Sequence, residues 1–328
     1  MGISKIFNKD INSLSKIMNI SKNSLSKLYG ITLSEQILEF AFTNSTWYPP
    51  QYIYWDSLNS VLWASQGFST SATMLKINPN TMTLISSGTF DTGTSSWGIT
   101  NKSIRNNGYI YFGVPGNSCG RFNVNTLVSQ ETSWFNTPNG TLNLGSDWWV
   151  AASSLFRINP DTLANKNTYE IDVYGGGILT DGAYIYMIRS SGRYECYKIS
   201  PSNGSIVATY TMPSTIVESV QGSCFTLDSN GFLWLVFNNG TISKVNTSNM
   251  SQVNNYSVSG CKGINIVGNY AYIVAGTKVL KYTISPNFSY VSEWNYGVNL
   301  VSIQNNGQYI FVVSDDGTNK KIIRKNMF

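Results

Sequence analysis

From about residue 50 onward, the apolar residues fall into short, nearly unbroken runs separated by turn-forming dipeptides. Seven of these runs carry a central aromatic: VLWAS at Trp63, YIYFG at Tyr111, WWVAA at Trp149, YIYMI at Tyr186, LWLVF at Trp234, AYIVA at Tyr272 and YIFVV at Phe311. The steps between those aromatics are 48, 38, 37, 48, 38 and 39 residues. Runs so rich in β-branched and aromatic side chains read as strands. Their continuous hydrophobicity, without alternation, is that of strands covered on both faces. A recurring unit of about 41 residues with several strands has the period of a propeller blade.

Each unit has the same internal order. A strand leads to a turn, often Asn-Gly or Asp-Gly, as in IRNNGYIYF, LTDGAYIYM, LDSNGFLWL and IQNNGQYIF. Such dipeptides take positive φ and suit tight hairpins. The aromatic run follows, then a third strand such as MLKINPNTMTL, RFNVNTL, LFRINPDTL or CYKISPSNGSI, whose turn leads to a fourth strand. One such sheet cannot cover both its apolar faces, whereas sheets stacked around a ring cover one another. The pattern predicts an all-β chain: a seven-bladed β-propeller of four-stranded blades over residues 34–328, preceded by a separate segment, 1–33. The last unit, VSIQNNGQYIFVVSDDGTNKKIIRKNMF, stops after three strands, and EQILEFAFTN (Glu35–Asn44) belongs to no unit. That stretch is expected to supply the missing strand and close the ring. The phrases DSNGFLWL and KINP resemble those of several bacterial propeller families, a likeness that bears on fold and not on function.

The opening segment has a different period. ISKIFN, LSKIMN and LSKLYG begin at Ile3, Leu14 and Leu25, eleven residues apart. Placed on a helix, they align Ile3, Ile6, Phe7 and Ile11, then Leu14, Ile17 and Met18, then Leu25, Leu28 and Tyr29. An eleven-residue repeat keeps such a stripe on one face of a straight or slightly right-handed bundle. Nothing else in the chain has a matching period, so the partner is expected to be copies of the same segment or another protein. Lys22 interrupts the stripe, and Asn8, Asn19 and Gly30 are poor in helix interiors. An extended docking element and a plain capping segment therefore remain open. LSKIMNISKNSLSKLYG is also similar to a repressor-type helix-turn-helix, but about 33 residues cannot bury a core of their own.

Composition narrows the choice of function. Charged residues make up only 12% of the 328 residues, and the net charge is +5. Lys5, Lys9, Lys16, Lys22 and Lys27 against Asp10 put +4 of it in residues 1–33. A nearly neutral body lacks the basic stripe of a nucleic-acid binder. The cluster Lys320, Lys321, Arg324 and Lys325 is read as a solvated terminal strand. No apolar run is long enough to span a membrane, and MGISKIFNKD has no signal-peptide core. The protein is accordingly expected to be made in a cytoplasm and not to leave it by a signal-peptide route.

Histidine is absent, which removes triads that use it as base and the usual His/Cys zinc sites. The four cysteines are widely spaced and read as buried thiols. YGGGILTDG leads into a strand and not a helix, so it is no dinucleotide loop; no cofactor or metal is expected. An enzyme here would have to use paired carboxylates. Asp56, Asp91, Asp147, Asp181, Glu195, Glu218, Asp228, Asp315 and Asp316 lie in or near turns. Asp181, Asp228 and Asp316 stand beside or close to Gly and read as hairpin residues. A carbohydrate-active enzyme is thus the second reading. The first is a binding protein: Trp97, Trp134, Tyr174 and Tyr194 lie in or beside polar loops rich in Asn, Ser and Gly. Aromatic rings stack on the apolar faces of sugars while amides and hydroxyls bond the rim, so these four are candidate contacts to a glycan. The alternative is that they only wedge blades apart.

The tandem ISKIFN, LSKIMN and LSKLYGI phrases, over residues 1–31, resemble segments in structural proteins of tailed phages that infect Bacteroidetes, notably the crAss-like phages. There such segments precede fibre or appendage domains. The resemblance implies a non-enzymatic virion protein: a tail or collar fibre, or an appendage head used for host attachment or structural contact. Its partners would be copies of itself and other virion proteins, with a host surface glycan as a further candidate.

Overall fold

The computed structural model describes residues 37–42, 53–96, 102–105, 107–114, 118–133, 140–171, 177–189, 194–217, 224–315 and 320–327. The chain divides into two compact units, Met1–Ile37 and Leu38–Phe328. Of the first, only Ile37 is described. The attachment residues Ile3, Ile6, Phe7, Ile11, Leu14, Ile17, Met18, Leu25, Leu28 and Tyr29 lie outside the described residues, as does the expected helix.

The second unit is a ring of seven antiparallel sheets. It begins with β1 (Leu38–Ala41). The first blade holds β2 (Ile53–Asp56), β3 (Val61–Asn78) and β4 (Thr83–Ser96). The second holds β5 (Lys102–Arg105), β6 (Tyr109–Val114), β7 (Ser118–Asn123) and β8 (Ser129–Ser133). The third holds β9 (Gly140–Leu144), β10 (Asp147–Ala151), β11 (Leu155–Ile158) and β12 (Asn165–Tyr169). The fourth holds β13 (Ile178–Thr180), β14 (Ile185–Arg189), β15 (Glu195–Ile199) and β16 (Ile206–Thr211). The fifth holds β17 (Phe225–Leu227), β18 (Phe232–Val236), β19 (Thr241–Asn246) and β20 (Ser251–Ser257). The sixth holds β21 (Cys261–Val267), β22 (Tyr270–Ala275), β23 (Lys278–Thr283) and β24 (Ser289–Asn295). The seventh holds β25 (Leu300–Asn305), β26 (Tyr309–Asp315) and β27 (Lys320–Asn326), and β1 pairs with β27 to complete it.

The first blade also contains four strands' worth of chain, because β3 folds back on itself. Lys76 lies 5.6 Å from the Trp63 ring, whereas a straight strand would part the two residues by about 43 Å at about 3.3 Å per residue. The first strands of successive blades touch, β2 with β5, β5 with β9, β9 with β13, β17 with β21, β21 with β25 and β25 with β2, so they surround the axis. Second strands are sandwiched between neighbouring sheets: β10 is buried at every position and β26 at five of seven. Fourth strands form the rim, and β20 is exposed at all but one position. The apolar cores accordingly lie between blades. One cluster joins Trp63 of the first blade to Phe112 and Phe122 of the second, and another joins Tyr272 of the sixth to Ile310 and Val312 of the seventh. The hairpin glycines do what the dipeptides predicted: Gly231 and Gly307 adopt φ of 78° and 83°, where a side chain would be strained.

One expectation is overturned. Lys320, Arg324 and Lys325 are not on a solvated strand but are 4%, 6% and 5% exposed. The reason is topological: with β1 in place, β27 is an interior strand of the seventh blade, not its edge. Only Lys321 reaches outward, to an exposed pairing with Glu39 at 2.7 Å.

Candidate functional site

The two ends of the ring differ in chemistry. At the end that carries the first-to-second-strand hairpins, the carboxylates are absorbed by the fold. Asp228 accepts from the backbone N–H of Asn230 and Phe232 with one oxygen and from the Trp234 indole, at 2.9 Å, with the other. Asp56 does the same for Leu58, Asn59 and the Trp63 indole. Asp181 accepts from the N–H of Ala183 and Tyr184, and from the Tyr186 hydroxyl at 2.7 Å. In these three blades an aspartate at the turn and an aromatic five to seven residues on thus tie the hairpin to the core beneath it. Burial pushes the Asp181 carboxyl up, but these hydrogen bonds outweigh burial and leave it below its ordinary range. Desolvation of the ring, and then the same contact, drive the Tyr186 phenol up.

A second device at this end escaped the reading of the sequence. Lys76, Arg121, Arg157, Lys198, Lys244, Lys281 and Arg324 occupy matching places on the third strand of each blade. Each cation lies over a second-strand ring or one just before it, as Arg121 over Tyr109 at 4.3 Å, Lys198 over Tyr184 at 4.0 Å and Lys281 over Tyr270 at 4.1 Å. Four of them also reach the next blade's third-to-fourth turn. Lys76 donates to the Val124 carbonyl at 2.9 Å, Arg121 to those of Pro160 and Asp161, Lys198 to that of Thr247 at 2.8 Å, and Arg324 to those of Pro79 and Asn80. In the third blade, Arg157 instead joins Lys166 on Asp147, each at 2.6 Å. The signal was present in the third-strand phrases LKINP, GRFNV, FRINP and YKISP. It becomes meaningful only when the blades are laid over one another.

Burial raises the Asp147 carboxyl, but the hydrogen bonds from Lys166 and Arg157 and their charges outweigh it, so it titrates below its ordinary value. A carboxylate held low contributes stability above the unfolded-state value, about 3.9, and that contribution is lost as the pH falls through the folded value. The Asp147→Asn variant is therefore expected to unfold at lower urea than the wild type at pH 6. The gap should close as the pH drops from about 4 towards 2. A gap independent of pH, read by urea titration, would remove Asp147 from the acid response.

At the opposite end, where second strands hand over to third strands, the fourth blade presents a small polar array. Arg189 ends β14 and stands opposite Glu195, the first residue of β15. The Tyr197 hydroxyl donates to Glu195 Oε2 at 2.7 Å, the Arg189 guanidinium donates to the Tyr197 oxygen at 3.4 Å, and its Nη1 lies 3.6 Å from Glu195 Oε2. Burial and the neighbouring carboxylate both push the Tyr197 phenol up. Beside this array Tyr194 is 41% exposed, and its carbonyl accepts from the Met212 N–H at 2.8 Å, which ties it to the rim strand. At the same end, Lys262 donates to Asn299 at 2.9 Å and links the sixth blade to the seventh.

Of the four candidate glycan contacts, only Tyr194 is among the described residues; Trp97, Trp134 and Tyr174 lie outside them, as do Glu218 and Asp316. The described aromatics with large burial, including Trp63, Trp148, Trp149 and Trp234, belong to the core. All four cysteines are buried free thiols, and burial raises the Cys261 thiol to about 11. No group of three or more His, Cys, Asp or Glu suited to a metal occurs among the described residues, and no described helix is long and apolar enough to cross a membrane.

No family model matches the chain, and no curated protein matches it in sequence. Solved structures do match it in shape. Virginiamycin B lyase from Staphylococcus aureus aligns over 89% of this chain and 99% of its own, with 17% identity and a TM-score of 0.70. The Cps50 (Swd1) β-propeller domain of Myceliophteria thermophila aligns over 88% of this chain and 99% of its own, with 11% identity and a TM-score of 0.69. BamB from Moraxella catarrhalis aligns over 88% of this chain and all of its own, at 11% identity and a TM-score of 0.60. At such identities the likeness is one of fold. The chain is a seven-bladed β-propeller with four-stranded blades.

Proposed function

We propose that the protein is a non-enzymatic binding head, a virion component whose propeller makes adhesive or structural contacts and whose residues 1–33 attach it to copies of itself or to other virion proteins. The observation that carries the non-enzymatic part is the fate of the carboxylates: Asp56, Asp147, Asp181 and Asp228 each have both oxygens committed to the blade's own turns, indoles, phenol or cations. A hydrolase built on a carboxylate pair needs one acid and one base free to meet a substrate. The virion placement is supported by the eleven-residue leader repeat and its likeness to phage appendage segments. A rigid head on a multimerising leader suits weak contacts summed over several copies.

Two outcomes are expected. Peptides of this chain should be found in purified particles by mass spectrometry, and the full-length protein should be a multimer that becomes monomeric when it starts at Ser34. Turnover of a polysaccharide that vanishes with a single Asp or Glu replacement would overturn it in favour of a carbohydrate-active enzyme.

A further inference from the structure

We propose that Glu195, with Arg189 and Tyr197, forms a subsite for the hydroxyl groups of a neutral sugar, at the second-to-third-strand end of the fourth blade. This rests on the reading of the propeller as a binding head and names the ligand chemistry of one face. Asp56, Asp147, Asp181 and Asp228 have both carboxylate oxygens engaged. Glu195 does not: Oε2 takes the Tyr197 hydroxyl at 2.7 Å, while Oε1 accepts nothing among the described residues. A partly buried carboxylate oxygen with an unused lone pair is costly unless a donor reaches it. The Glu195 side chain is 19% exposed, so a donor from solution can do so.

Two features select the donor. The Arg189 guanidinium lies 3.6 Å from Oε2, so a metal ion or an ammonium there would meet a like charge. Tyr197 is 7% exposed and fixes the carboxylate from below, so the acceptor is held in place before a ligand arrives. Tyr194 is exposed directly before the strand, but adjacent residues of an extended strand face opposite sides, so its ring lies on the Cys196 face and is no part of the subsite. A preset acceptor beside a guanidinium donor suits the neighbouring hydroxyl groups of a neutral sugar, since hydrogen bonds to charged groups are the stronger kind. The position also differs from that of the structural aspartates. It lies at the handover from second to third strand, whereas theirs lie at the hairpins of the opposite end.

The test uses the full-length protein with methyl α-glucopyranoside, methyl α-galactopyranoside and methyl α-mannopyranoside as probes, followed by saturation-transfer NMR. At least one glycoside should receive saturation at millimolar concentration. Glu195→Gln should weaken it about tenfold, in line with a lost charge-assisted hydrogen bond, and Arg189→Lys should weaken it by a smaller factor. Tyr290→Ala, on the far rim of the sixth blade where Tyr290 is 54% exposed, should leave it unchanged. Saturation of none of the three probes would overturn the subsite, as would binding that both subsite variants leave intact while they melt like the wild type. Failure of the broader reading looks different: the glycoside would be cleaved, with methanol released, or the chain would be missing from particles.

Discussion

Trp234→Ala is expected to cost about 3–5 kcal/mol, the range for truncating a large buried aromatic, against a total of about 5–15 kcal/mol for a folded domain. Trp234 is fully buried and serves three contacts at once. Its indole N–H donates to Asp228 at 2.9 Å. Its ring stacks on Tyr256 of its own blade and on Phe288 of the next, each with centroids 5.9 Å apart. Phe288 in turn lies 4.1 Å from Tyr256 and 4.5 Å from Tyr282. Removing the indole therefore opens a cavity between the fifth and sixth blades and strips Asp228 Oδ2 of its donor. Trp234→Phe separates the two effects: it keeps a ring in the stack and loses the hydrogen bond, at about 1–3 kcal/mol. Urea unfolding monitors both. A Trp234→Ala variant within about 1 kcal/mol of the wild type would mean that the blades do not share a core at this seam.

The same residue shows what the sequence disclosed. Trp234 was a landmark of the repeat because a strand packed between two sheets needs apolar side chains on both faces, and such a run is visible without a structure. The turns were legible for the same local reason: Asp-Ser-Asn-Gly before that run fixes a hairpin. The closing strand was legible by subtraction, from a unit one strand short and a stretch without a unit. Contacts between blades were not. Arg324 is 245 residues from the Pro79 carbonyl it meets, and no local pattern records so distant a partner. Three lysines lie within four residues of it, so the group reads as a solvated basic cluster until β1 covers its strand. Glu195 had the converse fate. It was one of nine carboxylates near turns, and only the hydrogen bonds distinguish it from those that the hairpins consume.

Deleting residues 35–44 is expected to cost about as much as the tryptophan, and to do so at one place, the seam between the ends of the ring. β1 pairs with β27 from Leu38 opposite Arg324 to Ala41 opposite Lys321, and the Phe42 N–H extends this to the Lys320 carbonyl at 3.1 Å. Phe42 is 9% exposed and packs, with Leu38 and Phe40, in the cluster that holds Leu62 of the first blade and Phe311 of the seventh. Burying one such side chain contributes about 1.5–3 kcal/mol, so Phe42 with its two half-buried neighbours supplies about 5 kcal/mol. The exposed pair of Lys321 with Glu39 adds little, because both groups remain in water. Glu39→Ala should accordingly melt within about 1 °C of the wild type, while the deletion should melt far below it. Arg324→Met tests the other half of the seam. It keeps the bulk over Tyr309, which lies 4.2 Å from the guanidinium, and leaves the Pro79 and Asn80 carbonyls without their donor, for about 2–3 kcal/mol. These losses fall at the junction of the last and first blades, where the chain must bring together residues 282 apart and gains nothing from sequence proximity. If the deletion melts with the intact protein, the ring is closed by something other than β1, and the packing that makes β27 an interior strand is not what holds the ends together.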